Sequence, residues 1–536
     1  MIRPNRNVLF FIMTVVEGGL GPASRAALPD RIPDGCGIAP RFIPCYSRPR
    51  MIHPAEEGYL AGPLYQPNMK IPTLSKHGKD FYILPATPAT TTWGFFDASQ
   101  PPALTINSGD TVAIETLPGG GGNVAPGITI EALEYINAAV EGRGPHTLTG
   151  PIAVRGARPA DSLSKGDVLA IRINKIRMRS YATNNSGDFA GLFSEYGQGG
   201  PYQSPVFPHF VSHFIDSYYL DNERMEMVFS TDPEIVVPLT PFPGTLGVAR
   251  SEAEESIEYL RVPPEDPSDP LGWCIDRPPA PLKGPGCNTK QPGPFGGNLD
   301  LPMMTVGSTT YLPVFREGGL IWTGDSHAAQ GNGEIDLDAL ETAFSELNVT
   351  IEVIHRADHP EFGELPVVEN DKSWVTVGYA ISLNLALESL MKETTRFLEV
   401  KYHLSPEKAR ARMLAQWDCP IAEVVDEVLG TYCILPKDPK APRTPEIPMH
   451  DTPTHWVSYA EDEEDLMHAM KKAAYDSVRA SAHHLGLSEA RTYKLATFVQ
   501  DCRIGRPEVP GLARYRVACL MPKHILKSTS VARRGS

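Results

Sequence analysis

The string GDSHAAQGNGEI (residues 324–335) gathers two carboxylates, an imidazole and two carboxamides into a dozen positions. Asp325 and His327 are two apart, so in extended chain they share one face. A carboxylate and an imidazole on one face can ligate a divalent cation. Gln330 and Glu334 follow on a loop broken by Gly331 and Gly333, and glycine lets such a loop fold back on itself. D-x-H is nevertheless a common pattern, and a solvated polar turn is the plainer reading of these residues taken alone. Other polar groups stand in similar settings. His146 lies in GPHTLTGPIAV just before an expected strand, and Asn298 and Asp300 lie in FGGNLD beside a glycine pair. Taken singly, Asn298 and Asp300 fit as turn formers, and His146 fits as a loop residue bonded to backbone. The glycine run at 119–122 lacks the Lys-Ser/Thr and the helix start of a phosphate-binding loop.

The elements that must position these residues are mostly strands. ALTINSGDTVAIETL (103–117) alternates apolar and polar about a Ser108-Gly109-Asp110 turn. Ile152 and Val154 form a short strand, and Leu169, Ile171 and Ile173 alternate after the Lys165-Gly166-Asp167 turn. TYLPVFREGGLIWTGD is expected as a hairpin with Glu317-Gly318-Gly319 at its turn. LNVTIEVI (347–354) alternates again. Residues from about 80 to about 370 therefore suggest a β-sandwich-like core. Two long irregular segments, 181–210 and 252–295, interrupt it; loops of that length are functional lids or disordered insertions.

The last third repeats itself. Asp418-Cys419-Pro-Ile421 matches Asp501-Cys502-Arg-Ile504, and Cys433-Ile-Leu-Pro-Lys437 matches Cys519-Leu-Met-Pro-Lys523, with the intervening matches in the same order. Each copy reads strand, helix, helix, strand, with apolar residues on one helical face: Leu387, Leu390 and Thr394 in the first, Leu466, Met470 and Ala474 in the second. Ser405-Pro406 and Ser488-Glu489 are sound helix starts. The class expected is thus α+β, mainly β: a sandwich-like core followed by two repeated α/β modules. Four of the eight cysteines occupy corresponding repeat positions, which favours a structural role for them over a catalytic one.

Bulk composition narrows the partners. Of 536 residues, 41% are hydrophobic and 21% charged, which supports a large folded core. The net charge of −15, with no basic block, argues against nucleic acid or an anionic membrane as partner. No run approaches the roughly 18 apolar residues of a membrane-spanning helix. Arg3 and Arg6 before the apolar run at 8–16 outline a secretory signal, although Glu17 and the glycines after it suit an N-terminal arm equally. The compartment is therefore open between cytoplasm and export. If the chain is exported, Cys36 with Cys45 and Cys274 with Cys287 could bridge.

Several strings together resemble the acetamidase/formamidase family. They are LPATPATTTWGFFDASQPPALTINSGDTVAIETL (84–117), PHTLTGPIAVRGARPADSLSKGDVL (145–169), PFPGTLGV (241–248), GGNLD (296–300) and STTYLPVFREGGLIWTGD (308–325) leading into GDSHAAQGNGE. They stand in the family's order over residues 84–354. The resemblance implies hydrolysis of a small linear amide to a carboxylate and ammonia, with a bound divalent metal. It also implies a site neighbourhood of His146, Asn298, Asp300, Asp325, His327, Gln330 and Glu334. On that basis His146, Asp325 and His327, with Asp300 beside them, are expected to hold the ion, which is zinc, or calcium as the alternative. Such an ion lowers the pKa of bound water from about 15.7 towards 7. Glu334 is expected as proton acceptor and donor, and Asn298 or Gln330 as the group that orients the amide.

The expected organisation is an N-terminal extension (1–78), a β-rich catalytic domain (79–370), a first α/β module (371–437), a Pro-rich linker (438–455) and a second module (456–536), in a homo-oligomer. Pro118 and Phe295 depart from the family's usual acidic residue and His. A larger amide or a lactam is therefore an alternative substrate, and a non-catalytic small-molecule-binding protein an alternative function. A Ser-Ser-Lys amidase would need a Gly/Ser-rich nucleophile segment, which is not seen. A Cys-Glu-Lys amidase would need a dedicated Cys.

Overall fold

The computed structural model describes residues 73–76, 79–120, 124, 127–133, 144–161, 166–186, 191–193, 214–251, 274–275, 286–287, 289–507 and 509–527. The signal-like run at 8–16 and the pair Cys36/Cys45 lie outside them. Cys274 and Cys287 face each other in register on two short antiparallel strands.

The chain is mainly sheet with helices concentrated near its end. Two groups of strands build the part around the site. In the first, Thr147–Val154 pairs with Thr91–Trp93, Leu104–Ile106 and Ile321–Ala329. Ile321–Ala329 continues to Phe242–Val248, which pairs with Gly296–Asn298. In the second, Asp167–Ser186 pairs with Leu340–His355, Thr309–Pro313 and Phe214–Tyr219. Leu340–His355 also pairs with Asp110–Ile114. The groups join where Ile321–Ala329 meets Leu340–His355.

The turn at Ser108-Gly109-Asp110 carries the chain from one group to the other, and Gly109 takes φ +88° there. The hairpin expected over 310–325 is corrected by the pairing. Chain reversal does occur at Glu317-Gly318, but Thr309–Pro313 lies between Asp167–Ser186 and Val367–Glu369, whereas Ile321–Ala329 lies between Thr147–Val154 and Phe242–Val248. Both strands already have partners on each side, so the local turn connects two groups instead of closing a hairpin. Thr147–Val154, Phe242–Val248 and Ile321–Ala329 are buried along their whole length. Polar side chains on them must therefore find partners among themselves.

Beyond residue 370 the order is strand Ser373–Ala380, helices Leu383–Tyr402 and Pro406–Ala415, and strands Cys419–Glu423 and Leu429–Pro436. Then come strand His455–Asp462, helices Leu466–Leu485 and Glu489–Val499, and strands Asp501–Ile504 and Tyr515–Pro522. Ser405 and Ser488 cap the shorter helices, their hydroxyls accepting from the N–H of Lys408 and Arg491. Leu387, Leu390 and Phe397 on one long helix, and Leu466, Met470 and Val478 on the other, are buried. Each such side chain contributes about 1.5–3 kcal/mol by leaving water. Strands Cys419–Glu423 and Asp501–Ile504 pair antiparallel, through Cys419 with Ile504 and Pro420 with Arg503. Disulfides join Cys419 to Cys433 and Cys502 to Cys519. The linker is pinned: Glu446 pairs with Arg506 at 3.5 Å and with buried Arg516 at 3.3 Å.

Each of these two bridges closes a short loop, worth about 3 kcal/mol in the unfolded-chain entropy account. Cys502→Ala/Cys519→Ala should therefore lower the unfolding free energy from urea denaturation, read by circular dichroism as a lower midpoint, by about 3 kcal/mol. An unchanged midpoint would remove the bridge's role in stability.

Candidate active site

Three backbone kinks present the polar groups. Asp325 interrupts its buried strand at φ +51°, Asp300 follows Gly296–Asn298 at φ +42°, and Glu334 leaves the glycine loop at φ +44°. Non-glycine residues in this region cost on the order of 1–3 kcal/mol each and persist where surrounding structure over-determines them. Asp325 and His327 meet across this left-handed kink and not along a regular extended strand: His327 Nε2 is 3.5 Å from Asp325 Oδ2.

Both imidazoles are held the same way. His146 Nδ1 donates to the Thr289 carbonyl at 3.1 Å, which turns Nε2 to within 3.5 Å of Asp325 Oδ1. His327 Nδ1 donates to Gln330 Oε1 at 2.7 Å, which turns Nε2 towards Asp325 and to 2.9 Å from Glu341 Oε1. Glu341 in turn accepts from the Gly119 N–H at 2.7 Å. Burial alone would raise the Asp325 pKa, but His146 and His327 outweigh it and hold the carboxyl below the usual range. Burial alone would lower His327, but Glu341 and Asp325 outweigh it and push the imidazole well above its usual value.

A second set of carboxylates lies against the other edge of His327. Asp300 Oδ1 is 3.7 Å from His327 Nδ1, and neither Asp300 oxygen has a hydrogen-bond partner among the described residues. Glu334 Oε2 and Gln330 Nε2 are also buried and without one. Asn298 is engaged at both ends: its Oδ1 accepts from Thr245 Oγ1 at 2.6 Å and its Nδ2 donates to Asp426 Oδ2 at 2.7 Å. Glu423 accepts from the N–H groups of Val425 and Asp426. Burial first, then Asp300, Asp426 and Glu423, push Glu334 well above the usual carboxylate range. Burial likewise raises Asp300, with Asp426 and Asp325 adding to it against the pull of His327. Burial lifts Asp426 to about 6 against Lys290 and His146.

The structure therefore brings together His146, Asn298, Asp300, Asp325, His327, Gln330 and Glu334. It adds Glu341, Glu423 and Asp426, which sequence reasoning missed. Two donor sets could hold an ion: Asp325, His327 and Glu341, and Asp300, His327 and Glu334, each with its ligand atoms within 4.8 Å of one another. His146 reaches the first through Asp325. The one histidine of the first set, His327, has its Nδ1 committed to Gln330, and the neighbouring His146 has its Nδ1 committed to the Thr289 carbonyl, the usual support of metal-ligating imidazoles. Asp300 faces the nitrogen of His327 that is already given to Gln330, so it stands apart from this set.

With the fold and the centre in view, the comparisons agree on a class of protein. The profile of the Acetamidase/Formamidase family matches residues 95–380, so this chain belongs to that family. It is 24% identical over 246 residues to a formamidase of Methylophilus methylotrophus, covering 43% of this chain and 56% of that one. It is 27% identical over 230 residues to an acetamidase of Mycolicibacterium smegmatis, covering 36% of this chain and 49% of that one. The chain thus spans about half the length of these curated relatives. An acetamidase structure from Bacillus halodurans superposes with a TM-score of 0.50 at 25% identity, covering 66% of this chain and 97% of that one. Glu423 and Asp426 lie beyond the matched profile.

Gly244 explains why PFPGTLGV carries a glycine at the site. A Cβ there would lie 2.4 Å from His327 Cε1 and 2.7 Å from Asp325 Oδ2. Gly244→Ala overpacks a buried site, so it should lower the melting temperature and weaken divalent-metal binding by about 10-fold or more, the scale of lost ligand support. Competition against a chromophoric chelator measures this. Unchanged affinity would contradict the close approach.

Proposed function

We propose that this chain hydrolyses a small linear amide to a carboxylate and ammonia. The observation that carries this reading is the arrangement around His327. One edge faces a ready ligand set, and the other faces a buried carboxamide donor beside unpartnered carboxyl oxygens. Asp325, His327 and Glu341 would hold a divalent ion, and His146, with Nε2 3.5 Å from Asp325 Oδ1, would join them as a fourth ligand. The mixed imidazole and carboxylate set suits zinc better than calcium, which takes oxygen donors. When bound, the ion would supply Lewis acidity towards a carbonyl and water at neutral pH.

The chain's own groups do the rest. Gln330 Nε2 is free to donate to the substrate carbonyl oxygen, so we assign the orienting role to Gln330 over the engaged Asn298. Asp300 offers an unpartnered oxygen to the amide NH₂. Glu334 takes a proton from water as its oxygen adds to the carbonyl carbon, and returns it to nitrogen as the C–N bond breaks. Burial and the neighbouring carboxyls raise the Glu334 pKa, which favours its return of the proton to the leaving nitrogen. Asn298, fixed by Thr245 and Asp426, keeps the two edges of the site in register.

We also infer that residues 371–437 and 456–536 are two copies of one α/β module, joined by 438–455 and following a sandwich-like 79–370 region. The same element order and the matching bridged cysteines support this.

Ammonia release from formamide, acetamide, longer amides and lactams tests the function. The smallest linear amides should be turned over fastest, and chelation should abolish turnover. Glu334→Gln should lower kcat by about 10²–10⁴-fold, the usual contribution of a general base. Full activity in verified metal-free protein, or in Glu334→Gln, would sink the reading.

A further inference from the structure

The turn that carries Glu334 is gripped by the C-terminal third of the chain. The Gly331 N–H donates to the Thr497 carbonyl at 2.7 Å, and the Gly333 N–H donates to the Ala422 carbonyl at 3.0 Å. The Cys502 N–H donates to the Asn332 carbonyl at 3.2 Å. Thr497 belongs to helix Glu489–Val499, Ala422 to strand Cys419–Glu423 and Cys502 to strand Asp501–Ile504. The turn thus lies between the two strands that pair with each other across the C-terminal third.

The Asn332 side chain is held at both ends. Its Nδ2 donates to Asp501 Oδ1 at 2.7 Å, and Tyr432 donates its hydroxyl to Asn332 Oδ1 at 2.7 Å. Asp501 is itself fixed by Arg503 Nε at 2.7 Å, and Arg503 also pairs with Asp418. Asp418 and Asp501 are the corresponding positions of the two D-C-x-I strings. Immediately after Asn332, Gly333 takes φ +115° and Glu334 φ +44°. Two consecutive left-handed residues relax readily unless neighbouring structure fixes them.

We propose that Asn332 is a positioning residue, through which Tyr432 and the Asp501–Arg503 pair fix the left-handed turn that presents Glu334. This rests on the reading of Glu334 as the proton-transfer group. It gives the C-terminal third a task within the reaction besides folding. Asn332 touches no reacting atom and acts through the placement of Glu334.

The test uses the full-length chain. Asn332→Ala and Asp501→Ala remove the grip, whereas Asp501→Asn keeps an acceptor for Asn332. Asn332→Asp, which cannot donate to Asp501, serves as a second variant should Asn332→Ala fold poorly. Hydrogen exchange at the Gly331 and Gly333 amides should quicken by about 10-fold or more in the disruptive variants, while the Leu383–Tyr402 helix keeps its protection. Formamide kcat should fall by about 10- to 100-fold, the effect of small misplacement, with KM within about twofold. Asp501→Asn should recover most of kcat. In the Glu334→Gln background, Asn332→Ala should add nothing to the loss, because both act through one carboxyl. Unchanged exchange at Gly331 and Gly333, or a fully additive double variant, would overturn the proposal. If the wild-type chain releases ammonia from no amide, the proposed function fails and the exchange result alone decides the grip.

Discussion

Six carboxyl groups, those of Asp300, Asp325, Glu334, Glu341, Glu423 and Asp426, are buried around the imidazoles of His146 and His327. Removing an ion from water costs several kcal/mol even after protein relaxation, and like charges add to that. The molecule meets this constraint by treating the carboxyls differently. Asp325 sits between the two histidines and stays ionised. Glu341 has His327 Nε2 and a backbone N–H. Asp300, Glu334 and Glu423 are pushed up towards the neutral form. His327 thus stands between Asp325 and Glu341 on one edge and Asp300 on the other.

That arrangement depends on chain segments far apart in sequence. His146 directly precedes strand Thr147–Val154, Asp325 lies on the neighbouring Ile321–Ala329, and Gly244 on a third strand leaves the room that Asp325 and His327 need. Glu423 and Asp426 arrive from the C-terminal third, and Asn298 joins Asp426 to Thr245 on the central strands. The C-terminal third is therefore part of the centre as well as a neighbour packed against it.

Much of this was legible in the sequence, for identifiable reasons. Asp325 and His327 could be paired because they stand two apart, although a left-handed kink at Asp325 and not a regular extended strand brings them together. Ser405 and Ser488 marked helix starts through their capping chemistry. Glycines beside Asn298, Asp300 and Glu334 signalled backbone that could take unusual conformations. Glu341 was not legible, because it opens a strand whose alternation becomes clear only near Leu347. Glu423 and Asp426 look like any acidic run at the end of a strand, and nothing local tells a buried carboxylate from a solvated one. Residues 310–325 read as a hairpin in the sequence because turn chemistry reports chain reversal and not which strands pair. No helix of the described residues is long and apolar enough to cross a membrane.

X-ray absorption at the zinc edge of the zinc-loaded, full-length chain tests the central claim most directly. The account predicts a nitrogen and oxygen shell with outer-shell scattering from two imidazoles, falling to one imidazole in His146→Ala. A shell without imidazole scattering, or one unchanged by His146→Ala, would contradict it.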